Sequence, residues 1–266
     1  MSLEFRLIES EKRSPFLIAA MDHAIFEECE AGYSPPTLVY HNWEPAVSIA
    51  NGQTLNDLNH KECKRLGFSI VRMPSGGKAV VHFPDTEFSY SLFIPITGIN
   101  PRATYEKYCG RISTALASLG IQSAIADNND IFIGEKKVGG NAQWVKRNYA
   151  MQHGLILYEQ PSARIMLSLM HPSLYPPQAE QQLQALLTGW RNHSSVSQEE
   201  LRRTLTENLL EGYSYKKGKL TEREQGRIEE LQEQYKNPYD SQAAQIRGLC
   251  WLPAPAYKKG VVEVHV

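Results

Sequence analysis

Apolar positions recur with two different periods along this chain, and each change of period marks an expected element. Between residues 15 and 30, Phe16, Ile18, Ala19, Ala20, Ile25 and Phe26 follow helical spacing. Two strands are expected around 36–42 and 46–50, then a short helix near 56–66. Residues 68–73 and 79–94 read as strands either side of a tight glycine turn, with Phe68, Ile70 and Val71 before it and alternating Phe88, Tyr90 and Leu92 after it. A helix is predicted over 101–119. Pro101 lies near its start, Tyr105, Tyr108, Ile112, Ala115, Leu116 and Leu119 form one face, and Gly120 stops it. Strand patterns resume at 121–126, 130–134, 136–146 and 149–157, and the pattern from 161 onward is mostly helical. Ser197-x-x-Glu200 and Thr221-x-x-Glu224 are capping-box patterns, opening helices to about 212 and about 236. Strands dominate the first part and helices the last, which predicts an α+β fold with a mixed or antiparallel sheet.

The segment with the richest chemistry is Arg72-Met73-Pro74-Ser75-Gly76-Gly77-Lys78-Ala79-Val80-Val81-His82. A helical phosphate loop needs a glycine well upstream of its Gly-Lys and a Ser or Thr after the lysine. Here Arg72 lies upstream and Ala79 follows, so that loop is excluded. Paired glycines let backbone approach a ligand closely and turn N–H groups toward an anion. Arg72 and Lys78 bracket the turn with positive charge. On its own, such a segment is more often a plain hairpin.

A second segment repeats the idea: Asn128-Asn129-Asp130-Ile131-Phe132-Ile133-Gly134-Glu135-Lys136-Lys137-Val138-Gly139-Gly140-Asn141-Ala142-Gln143. A short strand leads through a turn to a lysine, then to paired glycines and two amides. Gln152-His153-Gly154-Leu155-Ile156-Leu157 follows, a polar pair opening an apolar strand. With these three blocks in this order, the chain resembles the lipoate-protein ligase and octanoyltransferase family, relatives of biotin-protein ligase. Asp22 in an apolar helix and Trp43-x-Pro45-Ala46-Val47-Ser48-Ile49 before Gln53 fit the family's N-terminal features. The resemblance runs from about residue 15 to about 245.

It implies the catalytic fold shared by biotin and lipoate ligases. It also implies a reaction in which lipoate or octanoate is activated with ATP, accompanied by Mg2+, and passed to a lysine of a lipoyl-domain acceptor protein. Lys137 is the candidate catalytic residue, contacting the acyl carbonyl and the phosphate of an acyl-adenylate. Its type suits the task, because an ammonium stabilises the oxygen that gains charge when an amine attacks an acyl carbon. The ordinary alternative is an exposed turn lysine, as beside it at Lys136. Arg72, Ser75, Gly76, Gly77, Lys78, Ala79, His82, Asn129, Asp130, Gly139, Gly140, Asn141, Ala142 and His153 are the candidate binding residues. Asn129-Asp130 matches a pair beside the nucleotide in the ligases and equally suits an Asx turn. His82 and His153 line the site by resemblance, and by default a lone histidine is a packed, hydrogen-bonded one. Asp22 either orients a site group or caps a neighbouring backbone.

Departures from the family pattern bear on mechanism. The ligases have two successive arginines before the turn and a third glycine in it, whereas this chain has Arg72-Met73 and Gly76-Gly77-Lys78. A lysine replaces only part of a bidentate guanidinium clamp. The turn together with Glu87-Phe88-Ser89-Tyr90-Ser91 is similar to the cysteine-dependent octanoyltransferase branch, which passes the acyl group through a thiol. Yet residues 110–249 contain no cysteine, so the ATP-dependent ligase is the leading expectation. Thioester-dependent transfer, or a binder of lipoate or a lipoyl domain without turnover, are the alternatives.

Composition limits the remainder. With 266 residues and 42% hydrophobic content, one sizeable core is expected. The 28 basic and 29 acidic residues balance, which gives no footprint for nucleic acid or an anionic membrane. No apolar stretch approaches a membrane span, and Met-Ser-Leu-Glu-Phe-Arg at the start lacks the apolar core of a signal peptide. Cys29, Cys63, Cys109 and Cys250 are scattered without Cys-x-x-Cys spacing, which argues against structural zinc or a disulfide framework and for a cytoplasmic setting. Residues 1–248 are expected to form one catalytic domain. Residues 249–266, proline-broken at Pro253 and Pro255, are expected to form an extended tail with no accessory domain.

Overall fold

The structure is a computed structural model that describes residues 3–126 and 129–238. Strand β1 (Glu4–Arg13) leads into helix α1 (Pro15–Glu30), then β2 (Thr37–Trp43), β3 (Ala46–Ile49) and α2 (His60–Leu66). Next come β4 (Ser69–Arg72), β5 (Val80–His82), β6 (Glu87–Pro95) and α3 (Pro101–Ser118). Strands β7 (Ala124–Ala126), β8 (Asp130–Ile133), β9 (Lys136–Lys146) and β10 (Tyr149–Leu157) follow. The chain then passes through α4 (Ala163–Ser168), α5 (Ala179–Leu186), α6 (Gln198–Leu209), β11 (Ser214–Lys217) and α7 (Glu222–Tyr235).

Two sheets result. The larger has eight strands in the order β11-β1-β2-β6-β10-β9-β8-β7, and the smaller has three in the order β4-β3-β5. In the larger sheet β1 runs parallel to β2 and β11, while the pairings from β2 through β6, β10, β9 and β8 to β7 are antiparallel. Its central strands are apolar on both faces, with alternate residues sent to different cores. Leu38, Tyr40, Leu92 and Ile94 join Ile112 and Leu116 of α3 and Leu201 and Leu205 of α6. Val39, Phe93 and Met151 join Ile18, Ile25 and Phe26 of α1 and Ile228 and Leu231 of α7. A third cluster joins Val47, Ile49 and Val81 of the small sheet to Leu155 and Leu157 of β10 and to Met166 and Leu183. The small sheet therefore docks against one end of the large one, and the cleft described below lies at that junction.

Local chemistry sets the helix ends. Ser14 accepts from the Leu17 N–H and Pro15 occupies the first turn of α1, a favourable start on both counts. Ser197 caps α6, and Thr221 and Glu224 form a complete capping box on α7. Glu224 does more than cap. Its carboxylate, 0% exposed, accepts from both terminal nitrogens of Arg6 on β1 at 2.8 and 2.5 Å, fastening the last helix to the first strand.

Two expectations are corrected, and two strands are additions. The glycine turn does not close a hairpin: β3 lies between β4 and β5, parallel to the first and antiparallel to the second. The run 79–94 is two strands in different sheets, with Asp85 at φ 62° in the crossing between them. Strands β1 and β11 had no counterpart in the sequence reading. The expected tail at 249–266 lies outside the described residues.

Candidate active site

Between the two sheets lies a cleft with about 580 Å³ of empty space, partly open to solvent. Ser48 of β3 and Val80 and His82 of β5 form one wall. Gly140, Asn141 and Ala142 of β9 and His153, Gly154 and Leu155 of β10 form the other. The turn Gly76-Gly77-Lys78, the pair Asn129-Asp130, and Trp43, Met73 and Ser89 complete the lining. Gly77 adopts φ +117°, a backbone region that side chains avoid, which explains a glycine there.

His82 is held on three sides. Its Nδ1 lies 2.6 Å from Glu87 Oε1 and its Nε2 lies 2.9 Å from Ser48 Oγ. Its ring stacks on Trp43 at 3.9 Å between centroids and 8° between planes. A carboxylate only accepts, so Nδ1 carries a proton, and in the neutral ring Nε2 accepts from the Ser48 hydroxyl. His153 faces this wall with its Nε2 2.7 Å from Ser75 Oγ. Desolvation pushes its pKa down to about 4; Asp22 opposes the shift, and His41 and His82 add to it. It is neutral at ordinary pH. Asp22, on α1, contacts side chains rather than backbone: its two oxygens lie 3.0 Å from His41 Nε2 and 2.8 Å from Ser91 Oγ.

Lys137 differs from an exposed turn lysine. It is 1% exposed, and its Nζ lies 2.7 Å from Oδ2 of Asp130, a cleft residue. The turn ends at Glu135 and β9 opens on exposed Lys136, so strand alternation carries Lys137 inward. Its backbone is held as well, because the Thr188 N–H donates to the Lys137 carbonyl at 3.0 Å. Asn129 and Asn141 tie the preceding loop to β9 by reciprocal bonds, each side-chain amide donating to the other's backbone carbonyl at 2.9 and 2.8 Å. Tyr90 donates to Asn141 Oδ1 at 2.6 Å.

Of the residues singled out in the sequence, Gly76, Gly77, Lys78, His82, Asn129, Asp130, Gly140, Asn141, Ala142 and His153 border the cleft. Arg72, Ser75, Ala79, Lys137 and Gly139 do not. Arg72 is the clearest departure from the anion clamp expected of it. Its Nη1 donates to the carbonyls of Ala50, Asn51 and Gln53 at 3.0, 3.0 and 2.8 Å, so the guanidinium organises a loop. Ser75 stands behind His153, and Ala79 packs with the third core cluster. Gly139 serves strand pairing: a Cβ there would sit 2.5 Å from the Leu155 carbonyl oxygen. Met73 is 3% exposed and belongs to the core beneath α1, so an arginine there would bury a charge. Sequence reasoning gave no site role to Ser48 or Glu87. Both stood within recognised blocks, but no linear signal places residues 48, 82 and 87 in contact.

Cys29, Cys63 and Cys109 are buried and unpaired. Desolvation pushes their thiols up to about 12, 11 and 12. None borders the cleft, and Cys250 lies outside the described residues. Among the described residues, no three His, Cys, Asp or Glu side chains are grouped to hold a metal ion, and no helix is long and apolar enough to cross a membrane.

The cleft, its two glycine segments and the mixed sheet behind it form one continuous site. The lipoyl protein ligase A/B catalytic domain matches residues 14–197, and the chain belongs to that family. Among its relatives, the octanoyltransferase LipM of Moorella thermoacetica is 28% identical over 269 residues, covering 87% of this chain and 95% of that protein. The lipoate-protein ligase LplJ of Bacillus subtilis is 27% identical over 150 residues, covering 55% of this chain and 44% of that protein. The fold matches the Thermoplasma acidophilum protein Ta0514, solved with bound lipoic acid, with a TM-score of 0.74 at 19% identity over 88% of this chain and 96% of that one.

Proposed function

We propose that this enzyme transfers an octanoyl or lipoyl group from a carrier thioester to a lysine of a lipoyl domain. The observation that carries this reading is the engagement of Arg72 by three backbone carbonyls. It leaves Lys78 as the one Lys or Arg among the described residues lining the cleft. A triphosphate calls for a concentrated set of cationic donors, whereas a thioester is neutral. The near end-to-end match to an octanoyltransferase supports the same reading. In the reaction the acceptor amine forms a C–N bond to the acyl carbon, the C–S bond breaks, and the thiol leaves with a proton. Cytoplasmic location accords with the unpaired Cys29, Cys63 and Cys109.

A second reading is the ATP-dependent ligase expected from the sequence, with Mg2+ accompanying the nucleotide. The position of Asn129 and Asp130 on the cleft favours it. The cationic lining of this cleft does not fit a triphosphate, so no step is drawn through ATP. The experiment incubates the purified chain with a lipoyl domain and either octanoyl carrier protein or octanoate, ATP and Mg2+, and weighs the domain. Acylation from the thioester without ATP is expected. Acylation only from the free acid with ATP replaces this reading with the ligase.

A further inference from the structure

Three serine–histidine pairs lie in or beside the junction of the two sheets, and they are not equivalent. In the Asp22–His41–Ser91 group one nitrogen, His41 Nε2, faces both the carboxylate and the hydroxyl, and none of the three borders the cleft. That arrangement crowds both partners onto one nitrogen and leaves His41 Nδ1 buried without a hydrogen-bond partner among the described residues, so no carboxylate holds the ring from the side opposite the hydroxyl. In the His153–Ser75 pair the histidine borders the cleft but the serine does not. In Ser48–His82–Glu87 the carboxylate and the hydroxyl occupy opposite ring nitrogens, at 2.6 and 2.9 Å, and both Ser48 and His82 border the cleft.

We propose that Ser48, His82 and Glu87 form a nucleophilic triad that carries the acyl group as an ester on Ser48 Oγ between donor and acceptor. This rests on the transfer reading above and supplies the nucleophile that no cysteine among the described residues lining the cleft provides.

The fold builds the triad from both sheets. Ala46 pairs with His82 and Ser48 with Val80 across β3 and β5. Ser48 and His82 therefore stand diagonally on one face, within reach of each other. Glu87 opens β6 of the large sheet and arrives from the other side of the crossing. The histidine side chain is 6% exposed and the Glu87 side chain 4%, so little water competes for the ring. Trp43 fixes the ring plane, and its π-face favours the imidazolium that forms when Nε2 takes a proton. This is the pattern of a nucleophile, a base, and a third group that fixes the base's tautomer.

The steps balance without a further reagent. Ser48 Oγ bonds to the acyl carbon, its proton passes to His82 Nε2, the C–S bond breaks, and the departing sulfur takes that proton. The neutral acceptor amine then attacks the ester carbon and gives its proton to Nε2. The C–O bond breaks, and Ser48 recovers the proton. Glu87 acts as a positioning residue, holding the ring through Nδ1.

The test uses the full chain with two probes. Octanoyl carrier protein is added without acceptor, and the quenched enzyme is analysed by intact mass and peptide mapping. In parallel, an alkyl fluorophosphonate is applied; it forms a P–O bond to an activated serine and expels fluoride. One octanoyl ester and one phosphonate, both on Ser48 and both lost in Ser48→Ala, are expected. Transfer should fall by ~10³-fold or more in Ser48→Ala with the melting transition retained. Ser48→Cys should regain transfer that iodoacetamide then blocks. Glu87→Gln should lower the transfer rate and change its pH profile while leaving KM near wild type. Transfer at the wild-type rate by Ser48→Ala, with neither label on Ser48, overturns the triad and leaves the transfer reading intact. An adduct on Ser75 or a cysteine overturns it too. A phosphonate on Ser48 without any octanoyl transfer supports the triad and removes the transfer reading instead.

Discussion

The ammonium of Lys137 on β9 and the carboxylate of Asp130 on β8 lie 2.7 Å apart, with the lysine side chain 1% exposed and the aspartate 14%. Removing one partner of such a pair leaves the other charge uncompensated, at a cost of about 3–5 kcal/mol. Lys137 reaches the cleft through Asp130, which borders it, so Lys137→Met is expected to lower transfer by ~10²-fold through misplacement of that carboxylate. It is also expected to unfold at lower denaturant than wild type. Adding Asp130→Asn should recover much of the stability and none of the activity. Chemical denaturation with single-turnover transfer separates the two; full activity in Lys137→Met removes this lysine from the chemistry.

Arg72 should behave as a structural residue. Its Nη1 bonds to three carbonyls between Ala50 and Gln53. Each such charged hydrogen bond contributes about 1.5–3 kcal/mol. Arg72→Met should therefore destabilise the protein and speed hydrogen exchange across residues 50–53. A variant with unchanged exchange there and a selective loss of substrate affinity would return Arg72 to the site.

Cysteine chemistry is expected to be dispensable among the described residues. Burial pushes Cys29 and Cys109 up to about 12 and Cys63 up to about 11, so thiolate is scarce near neutrality. The triple variant Cys29→Ala, Cys63→Ala, Cys109→Ala should transfer at near the wild-type rate once folded. A selective loss of transfer, with the melting curve intact, would reveal a thiol step.

Arg6 and Glu224 predict an acid-sensitive link. Burial alone would raise the Glu224 carboxyl, but the Arg6 guanidinium, the Thr221 N–H and the Ser34 hydroxyl hold it below its ordinary value of 4.5. Its folded pKa is depressed, so its contribution is fully present above about pH 4.5 and fades as pH falls through the folded value. Wild type should lose stability on acidification below that point. In Glu224→Gln this component of the slope should vanish, which urea unfolding at a series of pH values measures.

Much of the fold was legible because its signals are local. Ser197-x-x-Glu200 and Thr221-x-x-Glu224 mark helix starts by hydrogen bonds that span one turn; the Thr221 box forms in full, and at Ser197 the hydroxyl half forms, accepting from the Glu200 N–H. The expected strands at 130–134, 136–146 and 149–157 correspond to β8, β9 and β10. The exposed Ser214–Lys217, four residues long, carries no periodic signal, and it becomes a strand only through its pairing with β1. The glycine turn misled for a related reason: two strands beside a short loop look like a hairpin whether or not a third strand enters between them.

The sequence by itself determined the family, the alternation of strands and helices, and which segments approach the cleft, because glycine pairs, caps and apolar periodicity act over a few residues. Tertiary structure alone decided what the polar side chains do there. Arg72 turned to backbone carbonyls rather than the cleft, Lys137 went inward to Asp130, and β3 and β5 brought Ser48 to one nitrogen of His82 while β6 brought Glu87 to the other. A charged or hydrogen-bonding group takes its function from the partner it meets. Those partners lie across strand pairings that no short stretch of chain encodes.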